Sequence, residues 1–256
     1  MTYTFDHDSP NRKGVSLMQA SLLTKNRHEE LLSDQLRALL DSIGTTKEIH
    51  KDTFLFQEGM DAHDIYLVKS GLVQIGKLGE DGKELTLRIC KKDDVVGELT
   101  LFSDNATYLL NAKVLTSGEV LAINKDKLEK DLMQNSELTF EFMKWVSNEM
   151  RKFQYKIRDL LLNGKKGALY STLIRLSNSY GIEKDNGILI DLPLTNQELA
   201  AFCAATRESA NRMLVDLRKQ DVISTGKSGK IFIKDMQFLR DEIGCEQCPI
   251  KICNID

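Results

Sequence analysis

The stretch Thr195-Asn-Gln-Glu198-Leu-Ala-Ala-Phe-Cys-Ala-Ala-Thr206-Arg-Glu-Ser-Ala-Asn-Arg-Met-Leu-Val-Asp-Leu217 decides the fold. Thr195 and Glu198 form a capping box, in which the hydroxyl takes one orphan amide and the carboxylate reaches back to another. That box opens a helix to about Ala204. Thr206 caps a second helix, running to about Gln220. Within it Ala210, Met213, Leu214 and Leu217 fall at i, i+3, i+4 and i+7, one buried stripe. Downstream, Val222–Thr225 and Lys230–Lys234 flank Gly226-Lys-Ser-Gly229 as a hairpin. Upstream, Ala168–Tyr180 has helical spacing, and Gly181 is placed as its C-terminal cap. Helix, tight turn, helix and hairpin together predict a winged helix-turn-helix over residues 164–240.

Working outward, Phe142, Val146, Met150, Phe153, Ile157 and Leu160 advance by the three-and-four rhythm of a coiled-coil seam. Residues 136–163 therefore read as a long dimerisation helix, ended by a hinge at Gly164-Lys-Lys-Gly167. Before it, residues 28–135 form one α+β unit. A helix from Glu29 to Ile43 precedes short β-like runs at Ile65–Val68, Leu72–Ile75, Leu85–Cys90, Val95–Val96, Leu110–Val114 and Val120–Ile123. Asp81-Gly82 between two runs is a hairpin signal. So many short strands predict an antiparallel β-roll or jelly roll. Residues 1–27 show no period and read as a flexible N-terminus.

At 256 residues, two cores are affordable, and 41% hydrophobic with 29% charged residues suits a folded, water-facing surface. No apolar run approaches the length of a membrane span, and no signal peptide opens the chain, so cytoplasm and no membrane are expected. Residues 164–240 hold twelve Lys/Arg against eight Asp/Glu, about +4 locally in a chain of net −3. That imbalance points to nucleic acid.

Arg207, Glu208, Asn211 and Arg212 lie opposite the buried stripe in the first turns of the second helix, beside the two capping threonines, Thr195 and Thr206. Arginine donates to guanine O6 and N7, and glutamate accepts from cytosine N4, so the set can read a G·C-containing site on double-stranded DNA. The plain alternative is a solvated face with a Glu208–Arg212 pair. Lys227 and Lys230 in the hairpin are candidate phosphate contacts.

Three of five cysteines crowd the segment 241–256, as Cys245-x2-Cys248-x4-Cys253. Packing is a poor reason for thiols in so short and acidic a stretch. Grouped thiolates suit zinc or an iron–sulfur cluster, either needing a fourth ligand, and CxxC also suits a thiol–disulfide switch. Cys90 and Cys203 sit in apolar contexts and read as buried. The residues alone leave these readings open.

A β-roll, a long helix and a winged module carrying Arg207-Glu208-x-x-Asn211-Arg212 resemble the CRP/FNR superfamily of bacterial transcription regulators. With the cysteine segment added, the chain resembles the branch of low-GC Gram-positive bacteria whose members are anaerobic regulators. That resemblance implies no enzyme. It implies a homodimer acting with RNA polymerase on a TGTGA-type palindrome, chiefly as activator of genes such as those of nitrate respiration. It also implies one oxygen-labile [4Fe–4S] cluster per subunit on Cys245, Cys248 and Cys253, with Asp159, in the matching Lys-Ile-Arg-Asp-Leu position, as the fourth ligand. Asp159 otherwise reads as a solvated acid paired with Lys156. Gly97-Glu98 resembles the start of a cyclic-nucleotide cassette, but Tyr108-Leu109 stands where cAMP-binding members place Arg-Ser. No Lys or Arg occurs between Lys92 and Lys113. A phosphate would lose its charge-assisted contact, so no cAMP is expected. The alternatives are a cluster-free thiol- or zinc-responsive regulator, or a cyclic-nucleotide-type module controlling a partner protein.

Overall fold

The computed structural model describes residues 32–79, 82–226, 229–246 and 248–255. The reading of residues 1–27, the start of the first predicted helix, Asp81 and Lys227 lie outside them. Helix α1 (Asp34–Ile43) is capped by Ser33, whose hydroxyl accepts from the Leu36 amide at 3.1 Å. Six strands follow: β1 (Thr45–Ile49), β2 (Phe54–Phe56), β3 (Asp64–Leu78), β4 (Glu84–Cys90), β5 (Val95–Val96) and β6 (Asn111–Asn124). They make one antiparallel sheet ordered β1-β6-β3-β4, with β2 on β6 and β5 on β3.

Two pairs of runs that read as separate strands are single long ones, β3 and β6. Glycine misled the reading. Gly71 lies inside β3 at φ 87°, and a Cβ there would stand 2.5 Å from the Thr116 carbonyl. A Cβ on Gly118 would meet the Ser70 carbonyl at 2.3 Å. Both glycines mark bulges where the β3–β6 register shifts, not turns. The β3–β4 hairpin is present, with Gly82 at φ 75°.

Helix α2 (Lys125–Gln134), absent from the sequence reading, follows β6 and is capped by Asn124. Asn135 caps α3 (Ser136–Tyr180), whose helical path is broken at Gly164, with φ 59° and ψ −165°. That conformation is essentially reserved for glycine. Beyond it come β7 (Gly181–Lys184), β8 (Gly187–Ile190), α4 (Asn196–Phe202), α5 (Arg207–Lys219), β9 (Ile223–Thr225), β10 (Ile231–Ile233) and α6 (Met236–Glu242). The wing is thus a four-stranded sheet ordered β7-β8-β10-β9. Gly181 caps the helix as read, in extended backbone with φ −77° and ψ 134°, and opens β7. Glycine is needed there because a Cβ would meet the Ser177 carbonyl at 2.0 Å.

Three cores hold these elements. One lies inside the roll (Phe56, Val68, Val73, Cys90, Val114), and one joins α1, α2 and the start of α3 to it (Leu36, Leu40, Leu128, Phe142). The third centres on Leu173, Leu199, Leu214 and Leu217 of the winged domain, and also takes in Ile89 from β4 with Cys253 and Ile255. Strand β4 serves two cores because alternate side chains face opposite sides, Arg88 and Cys90 one way and Ile89 the other.

The expected α3 seam is divided: Met150 and Ile157 are exposed, as a dimer face requires, and the other four are not. Phe142 is buried, while Val146, Phe153 and Leu160 are half-buried against the chain itself. Phe140, Met143 and Leu161 are exposed beside Met150 and Ile157, and the five run at spacings of three, seven, seven and four. The roll and its cavity claim one side of the helix, leaving an adjacent stripe outward.

Candidate DNA-reading face and cysteine tail

The capping box forms as read. Thr195 Oγ1 accepts from the Glu198 amide at 3.2 Å, and Glu198 Oε2 accepts from the Thr195 amide at 2.6 Å. Thr206 caps α5 by accepting from the Ser209 amide at 3.2 Å. Ala210, Leu214 and Leu217 are buried and Met213 half-buried, which turns Arg207, Glu208, Asn211 and Arg212 to the exterior. The Glu208 carboxyl is held below its ordinary range, chiefly by its own backbone N–H at the helix start, then by Thr206, Arg207 and Arg212. Among the described residues no ion pair joins Glu208 to Arg212. The Asn211 side-chain oxygen accepts from Asn196 at 2.9 Å, tying α5 to the start of α4. Lys230 is paired with Asp191 at 2.6 Å, which leaves two of its three N–H donors for a phosphate.

The roll encloses a cavity of about 410 Å³ lined by Gly97, Glu98, Leu99, Tyr108, Leu110 and Phe153, among others. Gly97 turns at φ 88° into a short 3-10 turn, Glu98–Thr100. Tyr108 is buried, stacks on Phe56 with ring centroids 3.7 Å apart, and donates its hydroxyl to the Asp64 carbonyl at 2.5 Å. Arg88 is the one cation among the lining residues. Its Nη2 lies 3.1 Å from Glu98, and its Nη1 lies 2.9 Å from Glu149 on α3. Lys152 completes the set at 2.7 Å from Glu149. Two cations and two carboxylates balance, and no lining cation is left for a phosphate. Sequence reasoning missed this group. The clue was an arginine inside an apolar strand run, at the register that faces the roll.

Asp159 is neither solvated nor paired with Lys156. It is 4% exposed. Oδ1 accepts from Arg158 Nε and Nη2 at 3.2 and 2.9 Å, and Oδ2 accepts from Ser171 at 2.5 Å and Arg175 at 2.9 Å. Burial opposes its charge, but these four donors hold its carboxyl below the ordinary value. Lys156 instead donates to the Thr86 and Leu87 carbonyls of β4 and stands 4.7 Å over the Phe202 ring.

Cys245 and Cys248 are half-buried and Cys253 is buried. Burial pushes the Cys253 thiol up to about 12 against the pull of Arg175, and the nearby Cys248 and Cys245 raise it further. The three thiols are therefore neighbours. Among the described residues, no three His, Cys, Asp or Glu side chains stand in a metal-coordinating arrangement. As donor chemistry, three soft thiols fit zinc or an iron–sulfur cluster. Asp159 does not fit as it stands, because a carboxylate has about four acceptor positions and all are filled. Cys90 and Cys203 are buried in separate cores, and burial pushes Cys203 up to about 12.

No helix among the described residues is long and apolar enough to cross a membrane. Residues 46–135 match the cyclic nucleotide-binding domain family, and residues 167–242 match the Crp-like helix-turn-helix domain family. The anaerobic regulatory protein of Bacillus subtilis is 65% identical over 227 residues, 89% of this chain and 95% of that protein. The lactate racemization regulatory protein of Lactiplantibacillus plantarum is 29% identical over 75% of this chain and 88% of its own length. Among solved structures, a CooA variant of Carboxydothermus hydrogenoformans superposes with a TM-score of 0.69 at 18% identity, over 84% of this chain and 96% of that one. The global regulator CLP of Xanthomonas campestris gives 0.68 at 23% identity, over 78% and 98%. These structures speak to the fold.

Proposed function

We propose, since this chain belongs to the CRP/FNR family of transcription regulators, that it is a homodimeric activator of anaerobic genes, nitrate respiration among them. It binds a TGTGA-type palindrome through α5 and acts there with RNA polymerase. The observation that carries this reading is the exposed Arg207, Glu208 and Arg212 at the capped start of α5, the position from which a recognition helix meets base edges. The anaerobic role is supported by the 65% identity to a protein named for it. The exposed heptad stripe of α3 suits a second copy of the chain. Cyclic AMP is not the effector, since Tyr108 occupies the place of the phosphate-gripping arginine and Arg88 is already neutralised.

Cys245, Cys248 and Cys253 would hold one [4Fe–4S] cluster per subunit, with Asp159 joining only where Arg158, Ser171 or Arg175 releases an oxygen. Such a cluster supplies an oxygen-labile centre. The closeness of Cys248 to Cys253 favours one other reading, a thiol switch closed by a disulfide. Strictly anaerobic purification separates the two. The expected protein is brown, with broad absorption at about 400 nm that bleaches in air together with DNA affinity. Iron and sulfide both absent, with zinc retained in air, would falsify the cluster, and a Cys248–Cys253 disulfide formed by oxidant would mark the switch.

A further inference from the structure

Residues 252–255 lie in the seam between strand β4 of the roll and the second arm of α3, residues 165–180. Each is tied to it. The Ile252 carbonyl accepts from Arg175 at 3.1 Å, and the Cys253 carbonyl accepts from Asn178 at 2.5 Å. The Ile255 amide donates to Ser179 at 3.0 Å, while its carbonyl accepts from the Ile89 amide of β4 at 3.3 Å. Ile252 and Ile255 are buried, Ile255 in the same cluster as Ile89, Leu173 and Phe202. Tyr180 reaches across to the Ile89 carbonyl at 3.2 Å.

Asn254 shows how the seam is completed. Among the described residues, two buried side-chain polar atoms have no protein partner, Arg88 Nε and Asn254 Oδ1. One is a donor and the other an acceptor. Both residues line a single cavity of about 20 Å³, with Glu149, Lys152, Lys156 and Arg175 around it. That volume holds one water molecule, and buried polar groups seldom go without a partner.

We propose that residues 252–255 are a strap that closes the seam between the roll and the winged domain, with one water bound between Arg88 and Asn254, and that strap closure governs access to the Cys253 thiol. Closed, the strap shields Cys253 from electrophiles, oxidants and metal ions. Opened, it exposes Cys253, already a neighbour of Cys245 and Cys248, and frees β4 from the winged domain. The bearing of the strap on gene control rests on the cysteine reading above; the strap itself does not.

The test uses the full chain, reduced and stripped of metal by chelator, so a failed cluster reading leaves it intact. N-ethylmaleimide labelling read by mass spectrometry should modify Cys253 about tenfold or more slowly than Cys245. Ile255→Asp should bring the two rates together and raise amide exchange in residues 86–90. Asn254→Leu, which fills the cavity and displaces the water, is the milder variant if Ile255→Asp does not fold. It should speed Cys253 labelling by about threefold or more while leaving Cys245 unchanged. Cys253 reacting as fast as Cys245 in the unaltered chain overturns the proposal. So does amide exchange at Ile89 indifferent to both substitutions. A high-resolution map with no density between Arg88 and Asn254 removes the water.

Discussion

Arg88 sits between Glu98 and Glu149, 5% exposed, with both terminal nitrogens committed. Burial works against its charge, and the surrounding carboxylates keep it firmly protonated. Removing one member of such a group strands buried charge, which costs about 3–5 kcal/mol. Arg88→Leu should therefore lower the urea-unfolding free energy by that amount. Lys156 shows the opposite balance. Its ammonium is served by two carbonyls and the Phe202 ring, yet burial, aided by Arg175, lowers it from 10.5 to about 7. Above pH 7 the unfolded chain holds a proton that the folded chain has lost, so stability rises with pH from about 7 to about 10.5 and carries the full penalty below 7. Lys156→Met should flatten that rise, measured as the urea midpoint across this range. On α5, Arg207→Ala, Glu208→Ala and Arg212→Ala should each cost about 1–3 kcal/mol of discrimination on a TGTGA palindrome, read by anisotropy against single-base variants. These α5 residues and both caps were legible because a helix face is written within a few positions. Arg88 with Glu149, 61 positions apart, and Asp159 with Arg175, 16 apart across the Gly164 break, were not, since only the fold brings such pairs together.

Among the elements, β3 and β6 show what a local signal conceals. Glycine is ambiguous between a turn and a bulge until the partner strand is known, and here the carbonyls of Thr116 and Ser70 settle it. Gly118→Ala must push the Ser70 backbone away, a clash of a kind that costs about 1–3 kcal/mol, measurable by thermal or urea unfolding. The long helix was legible in length and in its stop, and in heading only in part, since Met150 and Ile157 of the predicted seam face outward while Phe142, Val146, Phe153 and Leu160 do not. Periodicity reports that a stripe exists, while the choice between two neighbouring stripes depends on what else covers the helix. Ile157 at 55% exposure lies on the stripe left open. Ile157→Glu should weaken self-association about tenfold or more, seen by sedimentation, with little loss of monomer stability.

Across the whole molecule, the order of roll, long helix and winged domain was legible because each has its own period and punctuation. The docking of the last residues between roll and winged domain was not, since short acidic segments carry no such pattern. The cavity, with its one cation already paired, makes a further expectation concrete. Calorimetry with cAMP should show no micromolar binding, and Tyr108→Arg alone should not create it, because Leu109 and the balanced Arg88 group remain. Micromolar affinity in the unaltered chain would contradict this account of the cavity.

Gly164 connects the two arms of α3 through one residue in a conformation that other residues avoid, and a Cβ there would meet nothing within 4 Å. No side chain crowds the joint itself, but Asp159 is bound to Ser171 and Arg175 across it, so a change of angle must first break those contacts. The second arm, residues 165–180, is about 24 Å long at 1.5 Å per residue. Turning it by about 15° carries its far end roughly 6 Å, close to two base-pair steps. In a paired molecule both arms turn, and reading heads that must stand one turn of DNA apart, about 34 Å, would leave register together. The molecule is in this respect a caliper. Its span is set by that joint and the Asp159 contacts across it, and a tilt of about 8° carries the far end roughly one base-pair step.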